Sequence, residues 1–339
     1  MTYPIYEITK AERALLKERD ALLLREGIEK DPLLDYSAAA VDPEDHVIAT
    51  GSLFRNTIRC LAVAEEYHGE GLTAEIVRHL LSVERSRGFK RVFLYTKPEN
   101  ETLLISLGFH AVASAGNAVF MENDPSGFSR WVDSLPSSGR KNAAVVMNAN
   151  PFTLGHRFLV EKALEAEGSV TVFVVEEENG PIPFSVRIRL VREGLKDLKN
   201  VAVLPSGPYI ISHATFPTYF LHGEDDAVRA HAAIDLAVFR KISAALGIVH
   251  RFIGEEPANR VTALYNEVMV SSLRSAGIKC TVVKRLETGD KIISAGAVRK
   301  ALASGDWETV DLMTPETTAG FFRSDEARPI IDGIRADLP

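Results

Sequence analysis

Thr153, Gly155 and His156 are the residues of this chain best suited to holding a phosphate group. They follow an apolar run at 143–147, which predicts a short strand buried on both faces, and a turn over 148–151. From Leu154 onward apolar residues recur at helical spacing, so a helix begins near Thr153 or Leu154. A strand, a tight turn and a helix N-terminus form an anion site, because free N–H groups and the helix dipole point outward there.

Each of these residues has a structural explanation beside the chemical one. Thr153 can cap the helix or donate a hydrogen bond to phosphate. Gly155 would let the backbone come close to a ligand. His156 can present an imidazole to the same oxygen atoms, although a histidine at a helix start can equally bond to solvent or to a core neighbour.

A second group that could bind phosphate lies far downstream, in the sequence I-S-A-G-A-V-R at 293–299. Ser294 comes just before a predicted helix and by itself would be an ordinary N-cap. Arg299 lies about one turn inside that helix and by itself would be a solvated basic residue. Together they could hold phosphate oxygens, with the helix dipole adding positive charge.

These two groups resemble the two signature motifs of the nucleotidyltransferase superfamily. Residues 153–156 look like its (H/T)-x-G-H motif, and residues 293–299 are similar to its I-S-x-x-x-x-R motif. The superfamily transfers nucleotides from ATP by attack at the α-phosphorus. The resemblance therefore implies that His156 contacts the α-phosphate and that Thr153 donates to a phosphate. It also implies that Ser294 and Arg299, beside Ile293, hold the β- and γ-phosphates.

Longer phrases narrow the resemblance to the [citrate (pro-3S)-lyase] ligase family, over essentially the whole chain. They are N-A-N-P-F-T at 148–153, Y-I-I-S-H-A-T-F-P at 209–217 and G-E-E-P at 254–257. The resemblance implies an AMP-forming acid–thiol ligase that uses ATP, with Mg²⁺ arriving on the nucleotide, and acetate. Enzyme-bound acetyl-AMP would form first. The acetyl group would then pass to the thiol of the phosphoribosyl-dephospho-CoA group on the citrate lyase acyl carrier protein, which activates citrate lyase.

Further candidates for nucleotide binding lie after predicted strands. Asn148 and Asn150 can face the nucleotide or fix the turn. Gly254 and Glu255 could contact adenine through their backbone or position a substrate, and a capped turn before the next helix would explain them equally. In the segment 183–189 an arginine, Arg187 or Arg189, could bind phosphate or carboxylate or could lie on a solvated face.

The N-terminal third has an order of elements that resembles the GCN5-related N-acetyltransferase fold. In that family a glycine-containing turn binds the pyrophosphate of coenzyme A, which points here to Gly69 and Gly71. Glu66 stands where the family carries a basic or amide residue, and its carboxylate would repel pyrophosphate. We therefore expect a retained fold with altered ligand use, which could still hold the coenzyme-A-like group of a carrier protein.

A chain of 339 residues is long enough for two cores. We predict an α/β protein with an acetyltransferase-like mixed α/β domain at 1–124, a linker at 125–142 and a Rossmann-like parallel-sheet nucleotidyltransferase domain at 143–339. In the second domain strands alternate with helices, which is typical of a parallel sheet whose ligands lie at the carboxyl ends of its strands. Helices at 294–304 and 307–312 are predicted to close it.

Composition excludes several classes of protein. A net charge of −7 argues against a nucleic-acid binder. No apolar stretch approaches the roughly 20 residues of a membrane span, and we see no signal-peptide pattern. The two cysteines, Cys60 and Cys280, form no metal-ligand pattern and fit a reducing compartment. We expect a cytoplasmic protein without a metal site of its own.

Three other functions stay open at this level. The C-terminal domain could transfer AMP to a pantetheine phosphate or a mononucleotide. The N-terminal domain could instead be the catalytic one, using acetyl-CoA without ATP. A nucleotide-sensing or carrier-docking module with a degenerate site is the non-enzymatic alternative.

Overall fold

The computed structural model describes residues 3–137, 139–178, 180–210, 216–221, 224–255, 260–289 and 291–337. The chain divides into two compact units. The first consists of Met1–Trp131 and Thr215–Ala237, and the second of Val132–Ala214 and Val238–Pro339. A segment from the middle of the C-terminal sequence thus belongs to the first unit. The domain limits drawn from sequence stay a prediction.

The first unit is a seven-stranded sheet with helices. Its elements are β1 (Ile5–Glu7), α1 (Arg13–Arg25), β2 (Tyr36–Val41), β3 (Val47–Phe54), β4 (Thr57–Val63), α2 (Leu72–Ser86), β5 (Phe93–Thr96), α3 (Glu101–Ser106), β6 (His110–Ala115), β7 (Ala118–Glu122) and α4 (Gly127–Asp133), the last of which crosses into the second unit. The strand order is β1-β2-β3-β4-β5-β7-β6. Neighbours are antiparallel except β4 and β5, which run parallel.

Helix α2 packs on this sheet through an apolar stripe that includes Ile76 and Leu80, both fully buried. Gly51 of β3 lies beneath them, and a Cβ there would come within 2.6 Å of an Ile76 methyl carbon. Glycine is therefore needed for the close approach of helix and strand. Strands β4 and β5 pair only at Thr57↔Phe93 and Ile58↔Leu94 and then separate. Their separation opens a gap in the sheet.

The second unit is built on a five-stranded parallel sheet. Its elements are β8 (Asn142–Met147), α5 (Leu154–Glu167), β9 (Val170–Val174), α6 (Phe184–Gly194), β10 (Val201–Pro205), α7 (Glu224–Leu246), β11 (Ile248–Gly254), α8 (Arg260–Ser275), β12 (Lys279–Val283), β13 (Glu287–Thr288), β14 (Lys291–Ile292), α9 (Ala295–Ser304), α10 (Trp307–Met313), α11 (Glu316–Phe322) and α12 (Arg328–Asp337). Helix α7 begins in the first unit and ends in the second. Strands β13 and β14 form a small antiparallel hairpin.

The strand order β10-β9-β8-β11-β12 is that of an open, doubly wound sheet. From β8 the chain moves outward through β9 to β10 and later returns to the other side of β8 as β11. The order therefore reverses between β8 and β11, and ligands of such sheets bind at the carboxyl ends of the strands at this point. The predicted Rossmann-like parallel sheet is confirmed.

Two parts of the fold differ from the sequence-based expectation. Strand β2 was not predicted, because the three central alanines of the run Y-S-A-A-A-V give it a weak strand signal, yet Ala38, Ala39 and Ala40 are fully buried in it. Helices at 294–304 and 307–312 do not close the second unit. Helices α11 and α12 follow, and they bury Phe322, Ile331 and Ile334 in the core.

Candidate active site

A cleft of about 320 Å³ lies at the reversal point of the second sheet. Its wall is formed by the residues that follow β8, β11 and β12 and by the beginning of α9. Eight of the sequence-predicted residues line it: Thr153, Gly155, His156, Gly254, Glu255, Ile293, Ser294 and Arg299. The structure therefore brings together the two motifs, which are well over a hundred residues apart in the chain. The roles assigned to these residues stay predictions.

Thr153 and His156 form a reciprocal cap at the beginning of α5. The Thr153 hydroxyl oxygen accepts from the backbone N–H of His156 at 3.3 Å, and the Thr153 backbone N–H donates to Nδ1 of His156 at 3.1 Å. The same Nδ1 lies 2.8 Å from the Thr153 hydroxyl oxygen. Because two of the helix's free N–H groups are satisfied in this way, the cap holds the imidazole in one orientation.

The cap also determines where the proton of His156 lies. A backbone N–H can only donate, so Nδ1 must carry the lone pair that accepts from it. The neutral ring then carries its proton on Nε2, which makes Nε2–H a hydrogen-bond donor. The ring lies nearly parallel to that of Phe152, with 5.8 Å between the ring centroids.

The surroundings keep this imidazole neutral. Desolvation by the surrounding protein lowers the pKa of His156 to about 4, and the positive charge of Arg285 acts in the same direction. At neutral pH His156 is therefore an uncharged donor and is not a proton source for general acid catalysis.

Ser294 is the N-cap of α9, as its sequence position suggests. Its hydroxyl oxygen accepts from the backbone N–H of Ala297 at 3.1 Å. The hydroxyl proton is still available to a ligand, so the capping role and a phosphate-binding role are compatible.

Gly155 and Ile293 join the two motifs directly. A Cβ on Gly155 would lie 3.5 Å from both the Ile293 methyl carbon and its carbonyl oxygen, which is ordinary contact. Ile293 is buried in the core of the second unit. The protein itself therefore leaves room for alanine at 155, and Ile293 contributes packing rather than a polar group.

Arg299 brings a positive charge to the cleft wall. One guanidinium nitrogen donates to the carbonyl oxygen of Asn150 at 2.5 Å, and the residue is half-buried. Desolvation lowers the pKa of Arg299. Among the residues that the structure describes, no carboxylate is paired with it. A half-buried guanidinium in this situation favours an anionic ligand.

Asn148 and Asn150 do not line the cleft. The carbonyl oxygen of Asn150 orients Arg299, and the carbonyl oxygen of Asn148 accepts from Arg187 at 2.6 Å. Both residues belong to a turn that contains a cis Asn150–Pro151 bond. In the structure they shape the turn, and their role in nucleotide binding stays a prediction.

Arg187 lies neither on a solvated face nor in the cleft. It is 2% exposed, and it donates to the carbonyl oxygens of Asn148, Val175, Glu177 and Ile182. It thereby connects the turn after β8 with the loop after β9. Arg189 is exposed and pairs with Glu326 at 2.7 Å.

Gly254 and Glu255 extend β11 into the cleft wall. The backbone N–H of Glu255 donates to the carbonyl oxygen of Val283 at 2.8 Å, and its carbonyl oxygen accepts from Arg285 at 2.9 Å.

Arg285 and Lys284 also line the cleft, and the sequence analysis missed both. Their position directly after β12 was the signal that could have identified them. Parts of two family phrases, residues 211–215 and 256–257, lie outside the described residues.

Gly69 and Gly71 belong to the first unit and are remote in the chain from this cleft. Both have positive φ, 86° and 83°, and Gly71 is the N-cap of α2. They line a separate cavity of about 580 Å³. The predicted glycine turn at a helix N-terminus is therefore present.

The described residues were also compared with what a metal site and a membrane-spanning helix require. In the described ranges, no three His, Cys, Asp or Glu side chains gather as a metal-binding group. Within the same ranges, no helix is both long enough and apolar enough to cross a bilayer.

Comparison with known proteins places the chain in a family. The model of the citrate lyase ligase C-terminal domain matches residues 142–322. A [citrate [pro-3S]-lyase] ligase of Haemophilus influenzae is 32% identical over 94% of this chain and 98% of its own length. This chain belongs to the citrate lyase ligase family. The resemblance inferred from the two motifs and the longer phrases is thereby confirmed.

Other members of the citrate lyase ligase family show the same extent of similarity. The ligase of Klebsiella pneumoniae is 36% identical over 84% of this chain and 86% of its own length. That of Escherichia coli K12 is 35% identical over 84% of both chains. The acetyltransferase (GNAT) family model matches residues 3–109, which confirms the predicted N-terminal fold. The crystal structure of Escherichia coli ElaA, 15% identical, covers 36% of this chain and 100% of its own, with a TM-score of 0.32.

Proposed function

We propose that this protein ligates acetate to the thiol of the citrate lyase acyl carrier protein through acetyl-AMP. The observation that carries the proposal is the convergence of His156, Ser294 and Arg299 on one cleft at the reversal point of the parallel sheet. Membership of the citrate lyase ligase family supports the same reaction. ATP and acetate are the substrates of the first half-reaction, and the thiol form of the carrier is the substrate of the second.

In the first half-reaction an acetate oxygen attacks the α-phosphorus while the bond to pyrophosphate breaks. His156 donates its Nε2 proton in a hydrogen bond to a non-bridging α-oxygen, where charge increases. Because Nδ1 is held by the Thr153 N–H, this donor needs no reorientation during the reaction. Arg299, the Ser294 hydroxyl and the N–H groups that begin α9 hold the β- and γ-phosphates of the departing pyrophosphate.

In the second half-reaction the carrier's thiolate attacks the acetyl carbon, and AMP leaves with the electrons of the carbon–oxygen bond. A protein nucleophile is not required in either step, because acetate and the thiol are themselves the nucleophiles. Mg²⁺ accompanies the triphosphate and is bound chiefly by phosphate oxygens.

The acetyltransferase-like unit holds the carrier's coenzyme-A-like prosthetic group in this proposal. Its cavity of about 580 Å³ is of the size that cofactors occupy. The N-terminus of α2, with Gly69 and Gly71, offers N–H groups for phosphate oxygens. Glu66 lies in the turn just before that helix and weakens such an anion site.

We propose a cytoplasmic location, since the substrates are metabolites and both cysteines are free thiols.

Pyrophosphate release from ATP tests the reaction. We expect release that requires acetate, and an acetyl thioester on the thiol-form carrier when it is added. Release that requires a pantetheine phosphate or a mononucleotide would instead identify an adenylyltransferase. Consumption of acetyl-CoA without ATP would identify an acetyltransferase, and no turnover with any of these substrates would identify a binding module.

A further inference from the structure

The cavity of the first unit has two distinct ends. One end lies at the glycine turn and the beginning of α2, where Gly71, Leu72 and Thr73 line it. The other lies where β4 and β5 separate, beside Ile58 and Leu94, which form the last pair between the two strands. A ligand with an anionic group at the helix N-terminus would extend toward the fork between the strands.

Strand β4 is irregular at this fork. Its pairing with β3 shifts between Thr50↔Ala62 and Ser52↔Arg59, so β4 contains one extra residue there. Cys60 lies in this bulge with φ of 50°. A bulged residue is taken out of the regular ladder, so its N–H can turn toward a side chain or a ligand.

This N–H is bound by the side chain of Tyr219. The backbone N–H of Cys60 donates to the Tyr219 hydroxyl. Tyr219 and Phe220 line the cavity, and they are only 6% and 5% exposed. Both come from the segment that joins the first unit from the middle of the C-terminal sequence.

The segment that carries Tyr219 is held firmly within the first unit. The backbone N–H of Glu29 donates to the Tyr219 carbonyl oxygen at 2.7 Å. Phe216 packs edge-on against Tyr95, with 5.3 Å between ring centroids, and lies 4.8 Å from the ring of His231. Displacing the segment that carries Tyr219 would therefore break a backbone hydrogen bond and the two ring contacts of Phe216.

We propose that Tyr219 closes the inner end of this cavity, so that it accepts an unacylated pantetheine-type thiol and excludes the acyl thioester. An acetyl group adds three heavy atoms beyond the sulfur. At the fork this space is taken by the ring of Tyr219, which lines the cavity and is only 6% exposed. The first unit is thus a compartment for the thiol form and not a site of acetyl transfer from acetyl-CoA.

This inference rests on the proposed use of the cavity for the carrier's prosthetic group, and it is tested separately from the ligase reaction. Calorimetric titration of the full-length protein with CoA and with acetonyl-dethio-CoA compares the two forms. This analogue is a ketone of the same length as acetyl-CoA, with a methylene in place of the sulfur, and it is not hydrolysed. Saturating ATP is present in both titrations to occupy the nucleotide cleft. We expect CoA to bind at least about tenfold more tightly than the acyl analogue.

Two variants locate the cause of the preference. Tyr219→Leu replaces the ring by a shorter side chain, so we expect the preference for CoA to fall to within about threefold. Tyr219→Phe retains the ring, and we expect it to keep the preference. Melting curves establish that each variant is folded. If Tyr219→Leu does not fold, the titrations of the wild-type protein decide the question alone.

Several results would overturn the inference. These are equal affinity of the wild-type protein for the two ligands, an unchanged preference in folded Tyr219→Leu, and no binding of CoA when ATP is saturating. Failure of acetate-dependent pyrophosphate release would contradict the proposed ligase reaction but would leave these binding results as they stand.

Discussion

His156 caps the helix through one ring nitrogen and leaves the other as the hydrogen-bond donor that we propose for the ligand. Nδ1 satisfies a backbone N–H at the beginning of α5, and the other nitrogen is left as a donor of known tautomer. The motif alone predicted a histidine near phosphate but not its protonation. That property depends on a hydrogen bond and on burial, neither of which is visible in the order of residues.

The neutral tautomer of His156 can be observed directly. Since burial lowers the pKa of His156 to about 4, we expect selective ¹⁵N NMR to show the Nε2–H form at pH 7, without titration between pH 6 and 7. The unfolded chain titrates near pH 6.5. The folded state therefore loses stability from this group as pH falls from about 6.5 toward 4 and keeps it above that window. A ring that protonates between pH 6 and 7 would contradict this description.

At Gly155 the space needed for folding can be tested separately from the space needed by the proposed phosphate. The protein leaves room for a methyl group at this position, and alanine favours the helix by about 0.5–1 kcal/mol. We expect Gly155→Ala to leave the melting temperature unchanged or slightly raised. We also expect it to raise the KM for ATP about tenfold, because the methyl group would meet the phosphate.

Gly333→Ala in α12 is the matched control for this change. A Cβ at Gly333 meets no atom within 4 Å, so the melting temperature should again be unchanged or slightly raised, and the KM for ATP should be preserved. An unchanged KM in Gly155→Ala would show that the ligand does not approach the backbone at this point.

At the scale of elements, Arg187 holds two strand-end loops in place. Its guanidinium satisfies carbonyl groups of the turn after β8 and of the loop after β9. Arg187→Met leaves these buried acceptors without their donor. We expect this variant to lose at least about 2 kcal/mol of unfolding free energy in urea titrations.

Arg189 is exposed, lies two residues further along α6 and provides the control for Arg187→Met. Its ion pair with Glu326 lies at the surface, so Arg189→Met should cost no more than about 1 kcal/mol. Equal losses in the two variants would contradict a structural role for the buried hydrogen bonds of Arg187.

Elements with a regular hydrophobic pattern could be predicted from the sequence, and elements without one could not. The strand predicted at 143–147 and the start of the helix near Thr153 or Leu154 agree with β8 and α5 to within one residue, because an apolar run is followed there by apolar residues at helical spacing. Strand β2 was missed because alanine carries no strand signal. The buried position of Arg187 was not predicted, because the sequence does not say which arginine a fold will bury.

At the scale of the whole molecule, the two motifs meet because the sheet reverses its order between β8 and β11. That reversal was an expectation of the fold class, and the strand order agrees with it. The assignment of Thr215–Ala237 to the first unit was not predicted. Nothing in the local sequence of that segment indicates which core it joins, since its apolar residues would suit either one.

The exchange of radiolabelled pyrophosphate into ATP, with acetate present and the carrier absent, tests the central claim most directly. It reports only the reversible formation of acetyl-AMP. We predict exchange that requires acetate, falls about 10²–10³-fold in His156→Ala and is retained in the control Arg189→Met. Exchange without acetate, or exchange at the parental rate in a folded His156→Ala variant, would contradict the account.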